Sequence, residues 1–314
     1  MYYPYFRGKQ FELITIREMA KLLAEKEFIP VIEPVRESLS GLRRTLAAVC
    51  DAGGRAIVIV NPYHGDHQED GMGITDLLQE DFKDFDNISA GILLRTDMTV
   101  DAVMACYGQH VDHHPVLIHA GFTAPKVLAV ELREGMSGLT NIFVEDYANT
   151  LYRKHFEGST RILIRDGFKR RKNSEFAKIP VEEFSELHLT FQSDLGMSGF
   201  GDFLTVGDAY SDGGGPAYAV AIHLTFIDPN ADEVMRIYHF VSTTNDTPTD
   251  PAGKFAQALA KLIEKLDGGA SHILETSAIQ EFRGLHAKGH FPGLGYVKKL
   301  SMKHHIETLA AYLN

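Results

Sequence analysis

The chain has 314 residues, of which 44% are hydrophobic and 23% are charged, and its formal net charge is −11 at pH 7. These are ordinary globular proportions, and the negative charge argues against a surface that coats nucleic acid, although a local basic pocket stays compatible with it. The opening MYYPYFRGKQ lacks an apolar signal-peptide core, and no apolar run approaches the roughly 20 residues of a membrane span. Cys50 and Cys106 lie among apolar residues, which is typical of buried thiols in a reducing compartment. We therefore expect a cytoplasmic protein with no membrane contact.

Short runs rich in Ile, Val and Leu alternate along the chain with longer segments of helical period, as in buried parallel strands joined by helices. In chain order the predicted strands are YYPYFRG, FIPVIEP, RAIVIVNP, ISAGILLRT, PVLIHAG, NIFVEDY, TRILIRDG and FGDFLTVGD. Predicted helices follow the first strand at 10–26 and the second at 38–49, and Thr99 begins another. Eight such units predict an α/β fold, a (β/α)8 TIM-type barrel. An open doubly wound sheet is the alternative, which the lack of a GxGxxG motif after any strand disfavours.

The pattern changes after the eighth predicted strand. SDGGGP at 211–216 is turn-prone, and AYAVAIHLTFID and VMRIYHFVS then alternate as two antiparallel strands. We therefore expect an antiparallel β-hairpin inserted after strand 8, at 217–242 within an insertion of about 211–245. Helices at 250–314 would close the chain, which we predict to be one domain. The exposed edges of such a hairpin favour strand addition by a protein partner or a second copy of the chain.

Nearly every predicted barrel strand ends in a large polar residue, and parallel strands bring their carboxyl ends to the face where barrel enzymes build their sites. This predicted strand-end ring comprises Arg7 and Lys9 (first strand), Glu33, Asn61, Arg95, His119, Glu145, Arg165 and Asp208 (eighth strand).

Cations predominate on the predicted face, where FKRRKN at 168–173 and Arg36 add to the ring arginines. A basic mouth on an acidic protein attracts an anionic ligand, and the planar fork of arginine suits carboxylate or phosphate. In the alternative interpretation the arginines pair internally with acids, namely Glu33, Glu145, Asp146 and Asp166.

The acid–base candidates are His119, Glu145 and Glu33, and the imidazole is the group that titrates near neutral pH without help. The acids could instead hold Mg²⁺, although the nearby cations disfavour this, and the cofactor stays unknown. His64 and His67 lie on the predicted ligand face, whereas His113 and His114 precede the fifth strand and belong to the opposite face. Because no HExxH or CxxC motif accompanies them, we expect no zinc site.

Two segments resemble the Beta protein family, whose members occur in phages and in bacterial mobile or defence regions. They are YPYFRGKQFE near the start and GFGDF at 199–203. The resemblance implies a barrel-like fold and a setting of phage–host conflict, and it supplies no catalytic residues. It carries over three positions, Lys9, Glu12 and Asp202.

Two functions follow from the sequence. In the first, the protein binds an anionic, phosphate-bearing ligand such as a nucleotide or nucleic-acid end, and His119 or Glu145 moves a proton in a phosphodiester- or nucleotide-processing reaction. Arg7, Lys9, Arg95 and Arg165 would then clamp the charge. In the second, it is a non-catalytic sensor or antitoxin-like partner on a barrel scaffold. An open cleft at the strand ends would favour the first function, and ion pairs filling the mouth would favour the second.

Overall fold

The computed structural model describes residues 1–313, and the chain divides into two compact units. The first unit comprises Met1–Asp166 and Leu187–Phe203, and the second comprises Gly167–Glu186 and Leu204–Asn314. That both units belong to one domain stays a prediction. No helix among residues 1–313 is both long enough and apolar enough to cross a membrane.

The first unit is built on a closed barrel of eight parallel strands, which confirms the predicted fold class. Neighbours along the chain are neighbours in the barrel, and the eighth strand pairs with the first to close it. The strands are β1 (Tyr2–Phe6), β2 (Val31–Ile32), β3 (Ala56–Ile59), β4 (Ile88–Leu94), β5 (Val116–His119), β6 (Thr140–Val144), β7 (Thr160–Ile164) and β9 (Gly199–Asp202).

Helices join the barrel strands, and several begin at the polar caps that the sequence offers. Thr99 accepts a hydrogen bond from the Ala102 amide at 3.2 Å, and Asn149 accepts one from the Tyr152 amide at 3.0 Å. The helices are α1 (Gln10–Glu25), α2 (Ser40–Asp51), α3 (Met72–Asp76), α4 (Val100–Gln109), α5 (Pro125–Glu131), α6 (Thr150–Lys154) and α7 (Leu187–Thr190).

The barrel interior is packed mainly with β-branched and aromatic side chains, and every member of this core lies in a barrel strand or within two residues of one. These residues are Tyr3, Tyr5, Ile29, Val31, Ile57, Ile59, Leu93, Val116, Ile118, Ile142, Val144, Ile162, Ile164 and Phe203. Because successive side chains of a strand point to opposite faces, the residues between them lie on the helix-facing side of the barrel.

The second unit contains a three-stranded antiparallel sheet. Its strands are β8 (Val181–Ser185), β10 (Ala221–Ile227) and β11 (Met235–Val241), in the order β10-β11-β8. Three helices follow, namely α8 (Pro251–Asp267), α9 (Ser277–Lys288) and α10 (Leu294–Tyr312). Ile222 and Leu224 of the sheet share an apolar core with Leu259 of α8 and Phe282 of α9.

The predicted hairpin exists as β10 and β11, but the sequence analysis missed its third strand. β8 lies in the segment between β7 and β9, so the second unit is not simply an insertion after the eighth strand. Its sequence VEEFS carries two adjacent glutamates and lacks the apolar run by which the other strands were found.

One edge of the hairpin is occupied by the chain itself, because β11 pairs with β8. β10 is an edge strand of the three-stranded sheet, and its Thr225 carbonyl lies 2.8 Å from Nε2 of His304 in α10. Strand addition by a partner stays a prediction.

Candidate functional site

The carboxyl ends of the eight strands lie on one face of the barrel, as predicted, but side-chain alternation divides the polar residues there into two groups. Four follow an interior core residue by two positions and share its side: Arg7, Glu33, Asn61 and Arg95. Four others are adjacent to an interior core residue and lie on the helix-facing side: His119, Glu145, Arg165 and Asp202. The predicted ring therefore does not converge on one ligand position.

Glu33 is fully buried at the end of β2, and both of its carboxylate oxygens accept hydrogen bonds. Its Oε2 accepts a hydrogen bond from the Tyr5 hydroxyl at 3.0 Å and pairs with the Arg7 guanidinium. Its Oε1 accepts from the backbone amides of Tyr63 and His64 at 2.9 and 3.0 Å, and His64 Nδ1 lies 3.1 Å away. Burial raises the pKa of Glu33, but these donors outweigh it and lower the pKa to about 2. Glu33 is thus a charged anchor for the loop after β3. This arrangement argues against a catalytic base at Glu33, and that role stays a prediction.

Arg7 is held in place on three sides. Its guanidinium lies 5.0 Å from the ring centroid of Tyr5 and 5.4 Å from that of Phe203, in addition to its pairing with Glu33. The side chain is only 9% exposed. Arg7 therefore belongs to the packing at the barrel mouth, and its charge is already matched by Glu33.

Asn61 uses its side chain as an extension of the sheet. Its Nδ2 donates to the Leu93 carbonyl at 2.9 Å, and its Oδ1 accepts from the Leu93 amide at 2.8 Å. The side-chain amide thus replaces a backbone partner where β3 ends, so its predicted ligand-binding groups are used within the protein.

Arg95 is the interior-side cation that keeps access to solvent. Its side chain is 21% exposed, and it pairs with Asp97 through Nε at 3.1 Å and Nη2 at 3.3 Å. The guanidinium lies 5.7 Å from the ring centroid of Tyr63, which is 52% exposed. Because the Asp97 side chain is 68% exposed, this ion pair is worth about 0–1 kcal/mol and can be exchanged for a ligand.

His119 lies in the layer between strands and helices, where burial lowers its pKa to about 4. Its Nδ1 lies 2.8 Å from the Tyr152 hydroxyl and its Nε2 lies 2.9 Å from Asn141 Oδ1. The ring stacks on Phe143 with 4.6 Å between centroids. Both nitrogens are bonded and the side chain has no exposed surface, which argues against His119 as the predicted general base at the mouth. That role stays a prediction.

Glu145 and Arg165 bind each other across the ends of β6 and β7. Arg165 donates from Nε to Oε2 at 2.5 Å and from Nη2 to Oε1 at 2.9 Å, so the fork fits both carboxylate oxygens. Both side chains are partly exposed, at 26% and 29% for Arg165 and Glu145. This is the internal pairing that the sequence analysis kept as an alternative, and it occupies the groups that Arg165 would offer an anion.

The two segments that resemble the Beta protein family lie where the barrel closes. Asp202 of GFGDF accepts a hydrogen bond from Tyr2 at 2.8 Å inside the protein. Gly201 lies so close to β1 that a Cβ there would be 2.1 Å from the Tyr3 carbonyl oxygen. Glu12 is buried and accepts hydrogen bonds from the Arg7 and Lys9 amides at the start of α1. These residues therefore have structural roles, which accounts for their sequence motif without a ligand.

Two further predicted positions fall away from the strand ends. β9 ends at Asp202, so Asp208 lies six residues beyond the barrel and belongs to the second unit. Lys9 occupies the N-cap position of α1, where its side chain makes no capping hydrogen bond, and it is partly buried. The basic run 169–172 belongs to the second unit.

Metal ligation finds no support within residues 1–313, where no three His, Cys, Asp or Glu side chains form a group that could hold an ion. His64 bonds to Glu33, and His67 Nε2 lies 3.0 Å from the Arg36 carbonyl. His113 and His114 directly precede β5, at the amino end of the barrel as predicted.

Tyr63 and Tyr147 are the residues at this face that sequence reasoning missed. Both are about half exposed, at 52% and 53%, and each follows a strand end by a few residues. A Cβ on Gly121 would lie 3.8 Å from the Tyr147 ring, and Gly121 accepts a hydrogen bond from Thr96, the neighbour of Arg95. Exposed aromatic residues just after the polar strand ends were the available signal.

Comparison with known proteins adds no family assignment. No protein-family model matches the chain, and no curated protein sequence matches it. The resemblance to the Beta protein family stays a prediction.

Proposed function

We propose that the barrel mouth of the first unit binds an anionic, phosphate-bearing ligand, such as a nucleotide or a nucleic-acid end, without acid–base catalysis by the strand-end residues. The observation that carries the proposal is the pairing of a solvent-accessible arginine, Arg95, with an exposed aromatic ring, Tyr63.

Arg95 supplies the charge. It lies on the interior side of the strand ends, and its ion pair with Asp97 is exposed and therefore weak. A phosphate that replaces Asp97 would receive two hydrogen bonds from a guanidinium whose geometry is already fixed. Arg7 cannot do the same, because leaving Glu33 buried and unpaired would cost about 3–5 kcal/mol.

Tyr63 and Tyr147 supply stacking surfaces. Tyr63 lies beside Arg95, and an exposed aromatic ring beside an arginine suits a ligand that combines a flat base with a phosphate, because stacking on an aromatic ring is worth about 1–3 kcal/mol per base. Tyr147 is a second exposed ring at this face of the barrel. A phosphosugar without a base would gain only the contact with Arg95. The proposal therefore favours nucleotides over other phosphate esters.

The state of the three acid–base candidates supports the proposed lack of acid–base catalysis. Glu33 accepts a hydrogen bond from Arg7, and Glu145 accepts hydrogen bonds from Arg165. His119 is buried, and both of its ring nitrogens have hydrogen-bond partners. Ion pairs at the strand ends support the sensor-like alternative over a processing enzyme. The resemblance to the Beta protein family would set such a sensor in phage–host conflict.

A thermal-shift screen of nucleotides, phosphosugars and divalent ions tests the proposal, because a ligand that binds only the native state raises the melting temperature. We expect a nucleoside monophosphate to stabilise the protein more than either ribose 5-phosphate or the unphosphorylated nucleoside. Arg95→Ala should reduce the shift in melting temperature to that of the nucleoside, whereas Arg133→Ala, which removes an exposed arginine after α5, should leave it intact. Equal shifts in the two variants would refute the proposed site.

A further inference from the structure

A chain of three titratable side chains crosses the sheet of the second unit. Glu182 lies on β8, His239 on β11 and His223 on β10, and the two histidines are direct cross-strand partners. Oε1 of Glu182 lies 3.1 Å from Nε2 of His239, and Nδ1 of His239 lies 2.7 Å from Nδ1 of His223. None of these residues belongs to the barrel.

The charge state of Glu182 fixes the direction of this chain. Burial raises the pKa of Glu182, but hydrogen bonds from Arg171 and His239 outweigh it and lower the pKa. Arg171 also donates its Nη2 to Glu182 Oε2 at 3.0 Å, so the carboxylate is ionised and can only accept. Burial lowers the pKa of both histidines, so both are neutral at pH 7.

The tautomers follow by elimination. His239 must donate from Nε2 to the Glu182 carboxylate, which leaves its Nδ1 as an acceptor. His223 must then donate from Nδ1 to His239, which leaves Nε2 of His223 with a bare lone pair. His223 is partly exposed, and no group within residues 1–313 hydrogen-bonds its Nε2 atom.

The surroundings of His223 combine aromatic walls with positive charge. Phe168 and Phe176 pack against its ring, with centroids 5.0 and 4.8 Å away. The positive charge of Lys298 in α10 helps to lower the pKa of His223. Nζ of Lys169 lies 3.8 Å from Oε2 of Glu182. The exposed residues 169, 170 and 172 belong to the basic run next to Phe168. An anion is therefore favoured here over a cation.

We propose that Nε2 of His223 is the hydrogen-bond acceptor of a second binding site, whose ligand is an anion that keeps an O–H group, in the manner of hydrogen phosphate or the monoanion of a phosphate monoester. The lone pair at Nε2 needs a donor, and the neighbouring cations need a negative charge. Such a phosphate supplies both.

The three side chains form a hydrogen-bond relay that fixes the direction of the bond to the ligand. The O–H group of the ligand donates to Nε2 of His223, Nδ1 of His223 donates to Nδ1 of His239, and Nε2 of His239 donates to the Glu182 carboxylate. Both imidazoles stay neutral, and no covalent bond breaks. Glu182 and His239 are positioning residues, because they act on the ligand only through His223.

Nitrogen-15 NMR of the full chain, labelled at histidine, tests the tautomers directly at pH 7.5. We expect His223 protonated at Nδ1 with a bare Nε2, and His239 protonated at Nε2, with a His223→Gln variant assigning the signals. A proton on Nε2 of His223 in the free protein would overturn the proposal.

Titration with inorganic phosphate, methyl phosphate and sulfate tests the ligand class. Inorganic phosphate keeps a proton at pH 7.5, whereas methyl phosphate, with a second pKa of about 6, keeps one on about half of its molecules at pH 6, and sulfate keeps none at either pH. With inorganic phosphate titrated at pH 7.5 and methyl phosphate at pH 6, we expect the Nε2 signal of His223 to move at concentrations roughly tenfold or more lower than with sulfate at the same pH. A response to inorganic phosphate alone would assign the site to the free ion, whereas a response to methyl phosphate as well would extend it to monoesters. Equal responses to sulfate and phosphate would refute the proposed O–H donor.

Glu182→Gln tests the relay, and Glu183→Gln is its matched control because Glu183 is the exposed neighbour on the same strand. We expect Glu182→Gln to leave His239 and His223 as tautomer mixtures and to weaken phosphate binding about tenfold, and Glu183→Gln to change neither. Unchanged tautomers in a folded Glu182→Gln protein would overturn the relay. If that variant fails to fold, the comparison of phosphate with sulfate on the parent protein still decides the ligand class.

Discussion

Arg7 and Glu33 form a buried ion pair at the ends of the first two barrel strands, where the Glu33 side chain has no exposed surface. The same carboxylate also accepts hydrogen bonds from the backbone amides of Tyr63 and His64, so it links the loop after the third strand to the first two strands. A polar residue predicted to face a ligand is thus an internal anchor. The loop that it holds carries Tyr63, which the proposed ligand site uses.

Replacing Glu33 with Gln should destabilise the protein strongly, because Arg7 would keep its charge in a buried position without a counter-ion. We expect a loss of about 3–5 kcal/mol in the free energy of unfolding, measured by urea denaturation. Glu131→Gln makes the same chemical change at the exposed end of α5 and should stay within about 0.5 kcal/mol of the parent. If both variants unfold at the same urea concentration, the anchor role is wrong.

Buried neutral histidines should make the protein sensitive to mild acid. The pKa values of His119 and His304 are lowered by burial from their usual 6.5 to about 4, so the unfolded chain binds these protons more readily than the folded one. The contribution of the two histidines to the free energy of unfolding is fully present above pH 6.5. It is lost as the pH falls from 6.5 towards 4, by up to about 3 kcal/mol for each residue. Urea denaturation at steps of pH between 7.5 and 4.5 measures this slope.

His304→Gln and His119→Gln should each lower stability at pH 7.5 and flatten that slope. His286→Gln replaces an exposed histidine in the last turn of α9 and should keep the parent slope. A parent protein whose stability does not change between pH 6.5 and 4.5 would contradict the neutral, buried state of these side chains.

Gly201 should be irreplaceable by alanine for steric reasons. A Cβ at this position would lie 2.1 Å from the Tyr3 carbonyl oxygen, so the closing contact between β9 and β1 would have to open. Gly284 in α9 offers the opposite case, because nothing lies within 4 Å of its Cβ position and alanine is the better helix former. We expect Gly201→Ala to lower the melting temperature and Gly284→Ala to raise stability by about 0.5–1 kcal/mol. Equal stability of the two variants would show that the barrel does not close through this contact.

The fold was predictable because buried parallel strands leave apolar runs that a reader can count, and the structure confirms eight of them in one closed barrel. The strand VEEFS was not predictable, because its two glutamates interrupt any apolar run. Glu182 contacts His239, and Glu183 faces solvent. The ends of the first seven strands were found as well, since each of those apolar runs stops at a polar residue, but the eighth ends at Asp202 and not at the predicted Asp208.

The composition of the candidate site was harder to predict, because one residue of register reverses the side that a strand residue faces. In PVLIHAG the interior position near the strand end is Ala120, and the prominent His119 points towards the helices. The choice of ion-pair partners also depends on distances between strands. Nothing in the sequence says that Arg165 binds Glu145 on the neighbouring strand while Arg95 binds Asp97 in its own loop.

The most direct test of the proposed function is the affinity of a nucleoside monophosphate for the parent protein and for the Arg95→Ala and Asp97→Asn variants, measured by isothermal titration calorimetry. Asp97 competes with the ligand for Arg95, so Asp97→Asn should bind the nucleotide more tightly, by a factor of about two to ten, at low salt. Arg95→Ala should bind it roughly tenfold or more weakly, because a charged hydrogen bond contributes about 1.5–3 kcal/mol. Opposite changes in the two variants would support Arg95 as the phosphate ligand. Equal affinities for all three proteins, each confirmed as folded by its melting temperature, would contradict it.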